Sequence, residues 1–180
     1  DKAYDITDKW CNNSWILKGQ VARWVKEGII VFHRLEYYCR YEINGIGVIP
    51  FEGNHKGNIG ENSAMYLLEL PDGRKLFYGL DSGRYPDKTL EMLKEHKIDI
   101  FISDATMGTA GKHPGGQHLC LDDVKELSEC LLKQGTLNEN SQLFLTHISH
   151  RTSHSDMIKA VNELNFPVKT TVCYDGIKLL

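Results

Sequence analysis

The sequence predicts an α+β chain in which an antiparallel hairpin comes first and alternating strands and helices follow. Three observations carry this. Pro71-Asp72-Gly73 stands between two apolar runs, residues 64–70 and 75–80, and Asp-Gly in that setting is a strong hairpin signal. From residue 86 onward, short apolar runs alternate with helical patterns. Several of the strands stop at an Asp or a His, which puts a ligand-capable side chain at the rim of a sheet, where open α/β sheets bind ligands.

Taken in order, residues 14–27 read as a short helix with Leu17, Val21 and Trp24 at helical spacing, a stripe best explained as packing. From residue 43 the signal is β: Ile43, Ile46, Val48 and Ile49 lead to Pro50-Phe51-Glu52-Gly53-Asn54-His55. The hairpin follows, its second strand ending at Leu80-Asp81-Ser82-Gly83. Leu90 and Leu93 mark a helix with Asp87 as its N-cap. Residues 98–102 form a buried strand ending in Ser103-Asp104. After a loop containing Gly108, Gly111, Pro114, Gly115 and Gly116, a helix capped near Asp122 carries Val124, Leu127 and Leu131. Residues 143–145 are a strand that stops at Thr146-His147-Ile148-Ser149-His150. Ser155 caps a helix through Met157, Ile158, Val161 and Leu164, and residues 168–174 and 177–180 close the chain as strands around Asp175-Gly176. The expected organisation is one domain portion over 1–180, with an irregular or helical lead-in at 1–40 and the α+β unit at 41–180.

The bulk properties narrow the function. The 180 residues are 41% hydrophobic and 25% charged, ordinary for a globular chain, and the net charge of −3 gives no global case for nucleic acid or anionic membrane. No apolar run approaches the ~18–20 residues a membrane span needs. The five cysteines are scattered without a C-x-x-C pair, which favours reduced thiols in a cytoplasmic protein and disfavours a four-cysteine zinc site. The chain begins at Asp1 rather than Met, and its strand signals come late, as expected of a piece of a longer or processed protein.

Asp81, Asp104 and His147 end strands, and His55 lies at the end of the first. His118 sits in a long glycine-rich loop just before a helix, and such loops inside compact domains are often functional. Imidazoles and carboxylates together suit zinc, manganese or iron. Asp104 reads as structural, holding the loop. His113 and His154 read as exposed loop residues, Arg84 as a solvated surface group, and His33 and His96 carry no site signal.

His55, then Asp81 in Leu-Asp-Ser-Gly, then Gly-Gln-His118, then Leu-Thr-His147-Ile-Ser-His150 resembles the second half of the metallo-β-lactamase-fold hydrolases. Within them it looks most like the cyclic phosphodiesterases of phosphonate degradation, with the tRNA 3′-processing endonucleases as close relatives. The resemblance covers about residues 40–180. It implies an αββα sandwich, incomplete here because the family's N-terminal H-x-H-x-D-H motif is absent from this sequence and belongs upstream of Asp1. It implies a metal-dependent phosphodiesterase acting through a dinuclear metal-bound hydroxide, with two divalent ions, zinc or manganese, in the intact protein. His55 would ligate the first metal, Asp81 would bridge both, and His147 would ligate the second. His118 would contact the scissile phosphate and stabilise or protonate the leaving oxygen. Apart from the resemblance, His150 reads equally as an orienting partner of His147 or Asp81 and as a surface or packing residue. The expected partner is a small phosphodiester; nucleic acid is left open though not favoured by charge, no membrane is expected, and a homo-oligomer is left open. A tRNA 3′-processing-type nuclease, another ester hydrolase of this fold, and a non-catalytic truncated fragment stand as alternatives.

Overall fold

The computed structural model describes residues 20–57, 62–113 and 115–179. The chain divides into two compact units, Asp1–Leu35 and Glu36–Leu180. In the first, helix α1 (Gln20–Lys26) is shorter than the helix expected over 14–27, whose first residues, Leu17 among them, and the Val21 side chain lie outside the described part. α1 stops at Gly28, whose φ of 71° is left-handed. The Gly28 N–H bonds Val25 O at 3.1 Å and the Ile29 N–H bonds Trp24 O at 2.8 Å, the paired bonds of a Schellman end.

The second unit is built on one seven-stranded sheet whose spatial order follows the chain: β1 (Tyr41–Ile43), β2 (Ile46–Lys56), β3 (Asn62–Glu69), β4 (Lys75–Gly79), β5 (Ile100–Asp104), β6 (Gln142–Thr146) and β7 (Lys169–Val172). Strands β1 to β4 are antiparallel neighbours and β4 to β7 are parallel. The parallel strands need crossovers, supplied by α2 (Asp87–Leu93), α3 (Leu121–Lys133) and α4 (His154–Leu164). Successive right-handed crossovers in one direction put their helices on one sheet face. A single buried cluster agrees, joining Leu93, Val124, Leu131, Met157 and Val161 of the helices to Phe51, Phe77, Phe101 and Leu143 of the strands. The alternate residues Leu76, Ile100, Ile102 and Phe144 point to the other face and form a second cluster that takes no residue from any helix. This is why the parallel strands read as unbroken apolar runs.

The hairpin expected at Pro71-Asp72-Gly73 is present. The Gly73 N–H bonds Leu70 O at 2.9 Å and Gly73 takes φ 87°, so Pro71 supplies the fixed φ and Gly73 the left-handed one. The stretch from residue 43 to 49 is not one strand, however. Asn44 and Gly45 both have positive φ and turn β1 back on β2 in a two-residue hairpin. Helix starts also shift. Pro86, not Asp87, is the N-cap of α2, and Asp87 sits in the first turn, where its charge meets the helix dipole. Cys120, not Asp122, caps α3, its thiol and N–H both reaching Asp123 Oδ2. Ser153, two residues before the expected Ser155, caps α4 and accepts the Asp156 N–H at 3.1 Å. Finally, residues 177–179 are not a strand. Gly176 at φ 89° and the Ile177 N–H bonded to Tyr174 O make a turn there, and the chain does not return to the sheet. No described helix is long and apolar enough to cross a membrane.

Candidate metal centre

Parallel pairing brings the site together. Gly79 of β4 lies beside Ser103 of β5, and Asp104 beside Thr146 of β6, so the carboxyl ends of three neighbouring strands share one rim. Asp81 follows β4, Asp104 ends β5 and His147 follows β6. His118 arrives from the glycine-rich loop before α3. One donor atom from each of Asp81, Asp104, His118 and His147 lies within 4.8 Å of the others, a group able to hold a metal ion.

Asp104 is the centre of the arrangement, fully buried among the other three. Its Oδ1 accepts the backbone N–H of Thr106 at 2.9 Å and of Leu119 at 3.4 Å. Its Oδ2 accepts from His118 Nδ1 at 3.0 Å and His147 Nδ1 at 3.1 Å. A carboxylate can only accept, so both imidazoles carry their proton on Nδ1 and leave Nε2 free of Asp104, in His147 toward Asp81. Thr106 Oγ1, 2.7 Å from His147 Nδ1, shares that proton in a three-centre bond. Burial first, then the Asp104 charge, pushes the nearby Tyr85 hydroxyl well above the usual phenol range, so Tyr85 is a neutral donor toward Gly79 O at 3.5 Å. Burial likewise pushes the Cys120 thiol up, which leaves it a capping group rather than a thiolate ligand.

The donor set fits a divalent ion. His147 Nε2 and Asp81 Oδ1 are 3.7 Å apart, too far for a hydrogen bond. That spacing is close to the edge of a tetrahedral shell, about 3.4 Å when ligands stand about 2.1 Å from a zinc ion. The chemistry agrees: a carboxylate oxygen and an imidazole nitrogen face one point, and the imidazole is held from behind by a second carboxylate, as in many His-ligated metal sites. Asp104 has both oxygens committed to hydrogen bonds and serves as that orienting group. Asp81 and His147 both take left-handed backbone, φ 54° and 59°, a conformation costing about 1 to 2 kcal/mol per residue for L-residues. Such backbone is found preferentially where a side chain must be aimed.

Of the residues expected at the site, Asp81, His118 and His147 are brought together. His55 lies next to them, its ring edge-on to His118 with centroids 4.9 Å apart, but outside the four-residue group. It sits where the β2–β3 ladder slips between Glu52 and Lys56, an irregularity that frees the end of β2 to turn toward the rim. His150 is exposed and makes no hydrogen bond to His147 or Asp81 among the described residues. Asp104, read from sequence as a loop holder, does bond the loop backbone but also orients both site histidines. Thr106 carried no sequence signal beyond its place two residues after Asp104.

No family model and no curated protein matches this sequence. Solved structures do match. The metallo-beta-lactamase fold protein YhfI from Bacillus subtilis superposes with a TM-score of 0.60 at 14% identity, over 79% of this chain and 53% of that one. A diphosphatase of the PhnP family superposes at 0.59 and 24% identity, over 91% of this chain and 54% of its own. A possible metal-dependent hydrolase from Veillonella parvula DSM 2008 gives 0.58 at 16%, over 88% and 62%. The chain thus spans between about half and two thirds of each of these structures, and its mixed sheet with helices on one face is a part of the metallo-β-lactamase fold.

Proposed function

We propose that the intact protein is a metal-dependent hydrolase that cleaves phosphodiesters. The observation that carries this reading is the buried Asp104 carboxylate, which fixes His118 and His147 through their Nδ1 atoms and leaves His147 Nε2 3.7 Å from Asp81 Oδ1. Divalent ions, zinc or manganese, held by Asp81 and His147 with His55 beside them, would offset the phosphate charge and activate water. The residues do the rest. His118, 24% exposed, acts as general acid in its doubly protonated form: it passes the Nε2 proton to the departing oxygen and returns to the neutral imidazole whose Nδ1–H stays on Asp104. Met107, His113 and Gln117 line a cavity of about 330 Å³ against His118, which gives a small substrate somewhere to lie. A diphosphatase among the structural neighbours favours phosphoryl substrates over carboxylic esters, and the net charge of −3 favours a small substrate over RNA.

The test is hydrolysis of bis(p-nitrophenyl) phosphate by the intact, metal-loaded protein. His118→Ala is expected to lower kcat by about 10²- to 10⁴-fold with the bound metal unchanged. Absence of turnover, or turnover indifferent to that substitution, would overturn the proposal.

A further inference from the structure

We infer that Asn54 is the positioning residue that fixes the segments carrying His55, Asp81 and His118 relative to one another. Asn54 precedes His55 at the irregular end of β2, and its groups are used in three directions. Its backbone N–H donates to Ser82 Oγ at 3.1 Å, next to Asp81. Its side-chain Oδ1 accepts the Gly83 N–H at 2.6 Å and lies 3.4 Å from the Ser82 hydroxyl. Its Nδ2 donates to Gly116 O at 3.4 Å, two residues before His118. One amide therefore joins the end of β2, the loop after β4 and the glycine-rich loop. The amide offers an acceptor to one loop and a donor to the other.

The three segments meet without slack. A Cβ on Gly83 would run into Gly116 O and stand 3.1 Å from the Asn54 amide, and one on Gly53 would stand 3.1 Å from Ser82 Oγ. Two residues after Asn54, the Lys56 N–H donates to Gln117 Oε1 at 3.3 Å, so β2 grips the glycine-rich loop on both sides of His55. No hydrogen bond joins the His55 and His118 rings, 4.9 Å apart, to each other among the described contacts; Asp104 holds the His118 ring, and the bonds made by Asn54 and Lys56 at the end of β2 set His55 in register with it. The catalytic meaning of this register rests on the hydrolase reading above, whereas the geometric claim does not.

The experiment is proton NMR of the full chain without metal, reading the ring cross-peak between His55 and His118, with the cross-peak between Phe51 and Phe77 (centroids 5.6 Å apart) as the control for the fold. Asn54→Ala and Gly83→Ala are each expected to abolish the histidine cross-peak and keep the phenylalanine one. Asn54→Asp, which keeps the acceptor for Gly83 and loses the donor to Gly116, is expected to do the same while the Gly83 amide stays protected from exchange. It also carries the test should Asn54→Ala fail to fold. A histidine cross-peak that survives in Asn54→Asp and Gly83→Ala overturns the inference. Zinc titration of the same proteins separates the two claims. Zinc binding weakened about tenfold or more in the variants supports both. A wild type that binds no zinc but shows the cross-peak changes sinks the metal reading alone. Variants that keep both the cross-peak and the wild-type zinc affinity sink the positioning claim alone.

Discussion

Asp104 has four hydrogen-bond donors converging on two oxygens in a fully buried position. Replacing it with Asn puts an NH₂ where one oxygen accepts, so at least one buried donor loses its partner. Asp104→Asn is expected to cost about 2 to 3 kcal/mol in denaturant unfolding and to weaken zinc binding about 10- to 100-fold. The same substitution at Asp81, whose side chain is 58% exposed and makes no hydrogen bond among the described residues, is expected to weaken zinc binding with little effect on stability. The contrast explains what the sequence disclosed at this scale. Asp81, His118 and His147 could be picked out because each punctuates a strand or precedes a helix. Asp104 punctuates a strand too, but its role depends on parallel pairing of β5 with β6, which sets it one register step from His147. Nothing local to residues 103–106 states that neighbour. Thr106 is hidden for the same reason.

Elements were more legible than their ends. Every strand from β2 to β7 and every crossover helix follows from apolar periodicity and turn residues, whereas caps and turns moved by a residue or two. In α4 both Ser153 and Ser155 could cap, and geometry selects Ser153 because Asp156 lies three residues on and returns the bond. Ser153→Ala is expected to lower stability by about 1 kcal/mol and Ser155→Ala by much less, measured by thermal unfolding. The break at Asn44-Gly45 was available in the sequence, since that dipeptide is a strong two-residue turn signal, but the apolar residues on either side read as one run. His96, after α2, carries an effect of the opposite kind, visible only in the fold. Packed edge-on to Phe51, it has its pKa lowered by burial first and then by the Lys75 charge. A lowered folded-state pKa means the unfolded chain takes up the proton first as pH falls through about 6.5, so this contribution to stability is present above that pH and lost below it. Unfolding free energy is expected to fall between about pH 7 and about pH 5, and His96→Gln is expected to flatten that slope.

At the scale of the molecule, the sheet has two apolar faces and helices cover one of them. The helix-covered face is anchored by Phe51, Phe77 and Phe101, all fully buried, with the Phe77 ring in contact with the other two. Phe101→Ala is expected to cost about 3 to 5 kcal/mol in denaturant unfolding, the range for deleting a buried aromatic side chain. The second face holds Leu76, Ile100, Ile102 and Phe144, packed by Leu68, Leu70, Leu80, Cys173 and Leu179, and the strand order that sets the two faces also delivers the carboxyl ends of β4, β5 and β6 to one rim. Fold and site are thus consequences of one topology. The measurement that bears most directly on this account is the zinc content of the intact protein purified in the presence of zinc, compared with an Asp81→Ala, His147→Ala double variant and with His150→Ala. At least one zinc ion per chain is expected in the wild type and in His150→Ala, and its loss in the double variant. A protein that remains free of metal, or a double variant that keeps the wild-type zinc content, would contradict it.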